Sequence, residues 1–111
     1  MVEYTFSLDS IFGALADNTR RDILRRVSKE ELTVGEIAEP YELTFAAISK
    51  HLKVLEKARL IMKRRHGKEQ LVQLAPAALV DIEEYLRQYR QFWENRFDAL
   101  ESYLKEDSYG R

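Results

Sequence analysis

The 111 residues are enough for one domain with a modest core, and 45% hydrophobic against 33% charged residues, with four Gly and two Pro, describe a folded, helix-rich chain. The formal charge is −1 and there is no cysteine, which excludes disulfides, thiolate metal sites and cysteine nucleophiles. The opening MVEYTFSLDS carries Glu3 and Asp9 where a signal peptide needs cations, and no run approaches ~18 apolar residues, so a cytoplasmic protein with no membrane partner is expected.

Leu8, Ile11, Phe12 and Leu15 keep helical spacing, so a first helix is expected to end near Ala16, where Asp17-Asn18-Thr19 offers short polar side chains suited to an N-cap. A second helix over about 19–27 buries Ile23, Leu24 and Val27 and leaves Arg20, Arg21, Arg25 and Arg26 outside or on its flanks. Thr33 and Glu36 match the capping-box pattern and predict a short third helix over about 34–39, stopped by Pro40. Tyr41-Glu42-Leu43 makes a turn, and Thr44 caps a fourth helix reaching about Ala58. Two short helices about a tight turn form a helix-turn-helix.

LIMKRRHGKEQLVQL follows as two β-rich runs, 60–65 and 70–74, around His66-Gly67-Lys68, where Gly67 can take positive φ and close a hairpin with a basic tip. From Pro76 no Pro or Gly recurs before Gly110, which predicts one long helix over about 76–104. On it Leu79, Ile82, Leu86, Tyr89, Trp93, Phe97, Leu100 and Leu104 form a near-heptad stripe widened by Tyr85, Phe92 and Tyr103, more than one small domain can readily cover. The expected organisation is a single domain over 1–106 and a disordered tail over 107–111.

Charge is unevenly spread. Residues 1–43 hold 5 Lys/Arg against 9 Asp/Glu, residues 44–70 hold 8 against 2, and residues 71–111 hold 5 against 8. A cationic segment in an otherwise acidic chain suits a polyanion docked at one place. On the fourth helix Phe45, Ile48, Leu52 and Leu55 are expected to face the core, with Ala46, Lys50, Lys53 and Lys57 opposite, Ala47 and Val54 beside them, and Ser49 and His51 at the edges. A face that begins small and ends cationic suits entry into a DNA major groove, N-terminus first.

The phrases LADNTRRDIL, ELTVGEI and ISKHLKVLEKARLI, with the helical tail, resemble the ArsR family of winged helix-turn-helix repressors, in particular its metal-independent, SdpR-like branch. The resemblance implies a mostly α fold with a small β-hairpin, in the order α-α-α-α-β-β-α. It also implies a homodimer that binds double-stranded DNA at an inverted-repeat operator and releases it on an effector signal. The recognition positions it carries over are Thr44, Phe45, Ala46, Ala47, Ser49, Lys50, His51 and Lys53, and the wing is Lys63, Arg64, Arg65, His66, Gly67 and Lys68. Arg20 and Arg21 match a pair of arginines for which backbone contacts or salt bridges are open, with a salt bridge favoured for at least one. Thr33 and Gly35 stand at the two cysteine positions of metal-sensing members, and the last helix has no His, so no metal or other cofactor is expected. Arg59 replaces the usual glycine at the end of the recognition helix, which puts a left-handed cap in doubt.

The aromatic cluster on the last helix can be dimer core, core within the domain, or a ligand pocket at a dimer seam. The dimer reading leads because Trp and Tyr are enriched where partners bury surface, and it takes in Leu8, Phe12, Tyr85, Tyr89, Phe92, Trp93, Phe97 and Leu100. Catalysis is not expected, because His51 and His66 sit among cations with no nucleophile beside them and there is no glycine-rich phosphate loop. A sequence-specific DNA-binding repressor is therefore the expectation. The alternative is a winged-helix interaction module that offers the basic face to an acidic protein.

Overall fold

The computed structural model describes the backbone of residues 2–109 and the side chains of residues 8–106. Its elements are α1 (Val2–Leu15), α2 (Asn18–Lys29), β1 (Leu32–Thr33), α3 (Val34–Ala38), α4 (Phe45–Lys57), β2 (Ile61–His66), β3 (Glu69–Leu74) and α5 (Pro76–Tyr109). Helix α5 runs beyond the expected position 104. The tail expected over 107–111 falls on residues whose side chains are not described, and residues 110 and 111 lie outside the described residues altogether.

Local chemistry explains most helix limits. Asp17 caps α2 by accepting from the Arg20 amide at 2.9 Å. Thr33 and Glu36 form the reciprocal capping box of α3, with both bonds present at 3.1 and 2.9 Å. Thr44 caps α4 by accepting from the Ala47 amide at 3.1 Å. Each side-chain oxygen satisfies a donor that the first turn of a helix leaves unpaired.

The fold differs from the sequence expectation by one strand. The hairpin of β2 and β3 is joined by β1, giving a three-stranded antiparallel sheet in the order β1-β3-β2, with Leu32 opposite Val72 and Thr33 opposite Leu71. A two-residue strand has no alternation to detect, and its existence depends on pairing some forty residues away. His66 pairs with Glu69, so only Gly67 and Lys68 form the turn. Gly67 has φ 63° and Lys68 does not have a positive φ, and a positive φ at the first alone of the two central residues marks a type II′ hairpin turn. An added Cβ there would meet nothing within 4 Å, so the backbone conformation, not crowding, calls for glycine.

In the unit that ends at Asp81, the core gathers Ile11 and Ala14 of α1, Ile23 and Val27 of α2, Ile37 of α3, Ile48, Leu52 and Leu55 of α4, Leu60 of the link to β2, Ile61 and Val72 of the sheet, and Ala78 at the start of α5. Burying a side chain such as Ile48 or Leu55 stabilises by roughly 1.5–3 kcal/mol. Two residues expected in the core differ. Leu24 is only half-buried, and Phe45 is 69% exposed because it stands in the first turn of α4, beyond the end of the core along the helix axis.

In the unit from Ile82 onward, α5 carries Leu86, Tyr89, Phe92, Trp93, Phe97, Leu100, Tyr103 and Leu104, each exposed over more than four-tenths of its surface. The rings associate along the helix: Tyr85 with Tyr89 at 5.4 Å between centroids, Phe92 with Trp93 at 5.5 Å, and Trp93 stacked on Phe97 at 6.2 Å. The Arg96 guanidinium lies 4.6 Å from the Phe92 centroid. No described helix is long and apolar enough to cross a membrane.

Candidate nucleic-acid interface

The two helices of the helix-turn-helix, α3 and α4, are held by α2. Arg26 donates to the carbonyls of Ile37 at 2.8 Å and Glu36 at 2.9 Å, near the C-terminal end of α3, where helix carbonyls lack intrahelical partners. Its guanidinium also lies 5.4 Å from the centroid of Tyr41, in the turn between the helices. The Tyr41 hydroxyl donates in turn to the Asp22 carboxylate, which also accepts from Arg25 at 2.8 Å. The hydrogen bond from Tyr41 and then that from Arg25 hold the Asp22 carboxyl below the usual carboxylate range, and burial pushes the Tyr41 phenol up. The sequence carries little signal for this clamp beyond an aromatic residue placed in a polar turn.

Arg20 and Arg21 also serve as caps. Arg20 donates through Nε to the Ala14 carbonyl at 2.7 Å and through a terminal nitrogen to Gly13 at 3.2 Å, and Arg21 donates to the Leu15 carbonyl at 2.7 Å. Both guanidinium groups thus close the C-terminal end of α1, the backbone-contact alternative left open for this pair, and among the described residues neither forms a salt bridge with a carboxylate. A nearby carboxylate still feels Arg20. Asp17 is held below its usual range first by the hydrogen bond from the Arg20 amide, then by the charges of Arg20 and His51.

His51 lies at an edge of α4, as expected, and is half-buried. Its Nδ1 lies 3.3 Å from Arg20 and 3.8 Å from the Asp17 carboxylate, on the flank of α4 that faces α2. At 100° per residue His51 falls on the opposite edge of the helix from Ser49, and only the Ser49 edge opens toward the wing. Ala46, Lys50, Lys53 and Lys57 form the exposed face as expected, while Ala47 and Ser49 are half-buried.

The far end of α4 closes with a Schellman motif. The Leu60 amide donates to the Leu55 carbonyl and the Arg59 amide to Glu56, both at 3.0 Å, with Arg59 at φ 61°. The left-handed cap that arginine put in doubt is therefore kept. It leads α4 directly into β2, and the Ala75 amide ties the base of the hairpin to the Leu60 carbonyl at 2.9 Å.

Within the wing the cations are not equivalent. Arg64 is paired with Glu31 at 2.7 Å and Lys63 with Glu56 at 3.6 Å, whereas Arg65 and Lys68 are exposed near the tip. Sequence proximity could not have revealed the Glu31 partner, which lies just before β1. Between α4 and the wing is an open cleft of about 380 Å³, with Phe45, Ser49 and Leu52 on one wall and Lys63, Lys68 and Gln70 on the other. Of the residues assigned to a dimer interface, Leu8 is already 8% exposed within the chain, so it has little surface left to offer.

A helix-turn-helix clamped by the preceding helix, its second helix presenting lysines and followed by a basic hairpin, defines a winged helix-turn-helix nucleic-acid-binding protein. Residues 15–64 match the family model described as a helix-turn-helix domain. The chain is 40% identical over 87 residues to the HTH-type transcriptional regulator Rv2034 of Mycobacterium tuberculosis, covering 78% of each. It is 37% identical over 60 residues to the transcriptional repressor SdpR of Bacillus subtilis, covering 54% of this chain and 67% of that one. Its fold is similar to a crystal structure of the ArsR family transcriptional regulator RHA00566, with a TM-score of 0.74 and 31% identity over 81% of this chain and 93% of the other. The chain belongs to the ArsR family of winged helix-turn-helix transcriptional regulators.

Proposed function

We propose that the protein is a cytoplasmic, sequence-specific repressor that binds an inverted-repeat operator as a homodimer and is released by an effector. The observation that carries the DNA reading is the exposed face of α4, Ala46-Lys50-Lys53-Lys57, fixed at both ends by caps and set beside a wing whose tip presents Arg65 and Lys68. Small residues at the leading end admit close approach to base edges, and the later lysines and the wing meet phosphates. A symmetric dimer would hold two copies of α4 about 34 to 36 Å apart, one turn of duplex. The exposed aromatic stripe of α5 from Leu86 to Leu104 supports that dimer, since apolar patches of this extent on soluble proteins mark contact surfaces.

The test is an anisotropy titration of duplexes selected from random DNA, alongside scrambled duplexes, at low and moderate salt. Six to ten phosphate contacts across a dimer predict an affinity loss of about 10³–10⁵ between ~50 and ~200 mM salt, with the selected sequence preferred throughout. Sedimentation should give a dimer that Trp93→Ser weakens. A monomer that ignores duplexes even in dilute buffer overturns the reading, and salt-insensitive capture of an acidic protein instead would favour the interaction module.

A further inference from the structure

The most exposed large apolar side chain described is neither on the α5 stripe nor at a chain end; it is Phe45, 69% exposed, the first residue of the proposed reading helix. Its neighbour in the turn, Leu43, is 42% exposed, and Ala46 beside it is small and exposed. Lys50 and Lys53 continue the outer arc that Ala46 begins, whereas Phe45 lies about 80° round the helix from Lys53, on the edge that Ser49, one turn on, carries toward the wing. The leading end of this helix is thus apolar and its trailing end cationic.

A phenyl ring can neither donate to nor accept from a base edge. The one apolar group that a base pair presents in the major groove is the 5-methyl of thymine. Phe45 is the first residue of α4, so a helix entering the groove N-terminus first would carry the ring at its leading end, toward that floor. Building on the DNA-binding reading above, we infer that Phe45 is a specificity-determining residue that reads the 5-methyl group of thymine, selecting a T·A pair under the start of α4 in each half-site. Burying one methyl corresponds to about a fourfold gain in affinity. The loss multiplies when both half-sites are altered.

Deoxyuridine isolates the contact, because it keeps the pairing and every polar group of thymine and removes only the methyl. Each thymine of the selected operator is replaced in turn, and dissociation constants are measured by anisotropy for the unaltered protein, Phe45→Ala and Phe45→Leu. At one or two thymines per half-site the unaltered protein should lose about fourfold for each methyl removed. Phe45→Ala should bind the thymine duplex more weakly and lose nothing further at those positions, while Phe45→Leu keeps part of the discrimination. At all other thymines the three proteins should respond alike. The Phe45 side chain is exposed and the Thr44 cap is left in place, so both variants should fold, which circular dichroism melts will confirm.

The inference is overturned if Phe45→Ala retains the deoxyuridine sensitivities of the unaltered protein, if no thymine responds, or if selected half-sites lack a T·A pair. In those cases the protein still binds duplex, so the broader DNA reading survives. Failure of the unaltered protein to bind any duplex sinks that reading and this inference together.

Discussion

Arg59→Gly should stabilise the protein, and the size of the gain follows from one torsion angle. Arg59 sits at φ 61°, where Cβ crowds the following carbonyl and an L-residue pays about 1–2 kcal/mol. Its side chain is exposed, and both hydrogen bonds of the Schellman motif use backbone atoms, so glycine keeps them. Against the relieved strain stands the extra freedom of glycine in the unfolded chain, about 0.5–1 kcal/mol. The net gain is about 0.5–1 kcal/mol, which for a chain of this length raises the melting temperature by about 2–4 °C. Melts followed at 222 nm, at matched protein concentration because association shifts the midpoint, would measure it. Arg59→Ala is the control: it shortens the side chain but keeps Cβ, so it should stay within about 0.5 kcal/mol of the unaltered protein. If alanine stabilises as much as glycine, or glycine stabilises not at all, the strain account is wrong.

In the wing, Lys68→Ala should weaken binding to operator and random DNA alike and flatten the salt dependence by about 0.9 per lost phosphate contact, whereas Arg64→Ala should cost less because Glu31 already holds that cation. Glu31→Gln should strengthen DNA binding by removing that competitor, read in the same anisotropy titration. Tyr41→Phe removes the hydrogen bond to Asp22 but keeps the ring beside Arg26, and should cost about 1–2 kcal/mol, seen as a lower urea midpoint with unchanged slope. Asp17 and Asp22 are both held below the usual carboxylate range, so each contributes stability that is complete above its unfolded value and is lost as pH falls through its folded value. Urea midpoints should therefore be flat above about pH 5 and decline below about pH 4, and Asp22→Asn should shallow the decline.

What the sequence made legible was local. The capping box of Thr33 and Glu36, the Thr44 cap, the stop at Pro40 and the turn at Gly67 each depend on residues three or four apart, and each holds in the structure. What it hid was non-local or positional. Strand β1 exists only through Leu71 and Val72, Arg64 is neutralised by a residue thirty-three positions earlier, and Arg20 and Arg21 find carbonyls of another helix. Phe45 misled because helical periodicity assigns a residue to a face but does not say where the core stops along the helix axis. At His51 periodicity found the edge but not the neighbour: an edge position can turn toward solvent or toward another helix, and α2 lies on that side.

Thr33 has two obligations: its backbone pairs with Leu71 in the sheet and its hydroxyl begins α3. The hairpin is thus rooted in the very residue that launches the reading unit, like a handle forged in one piece with its blade. Anyone grafting a relative's wing onto this protein would have to transplant positions 32 and 33 with it, and a duplex that bends the hairpin would tug on the scaffold behind the recognition helix.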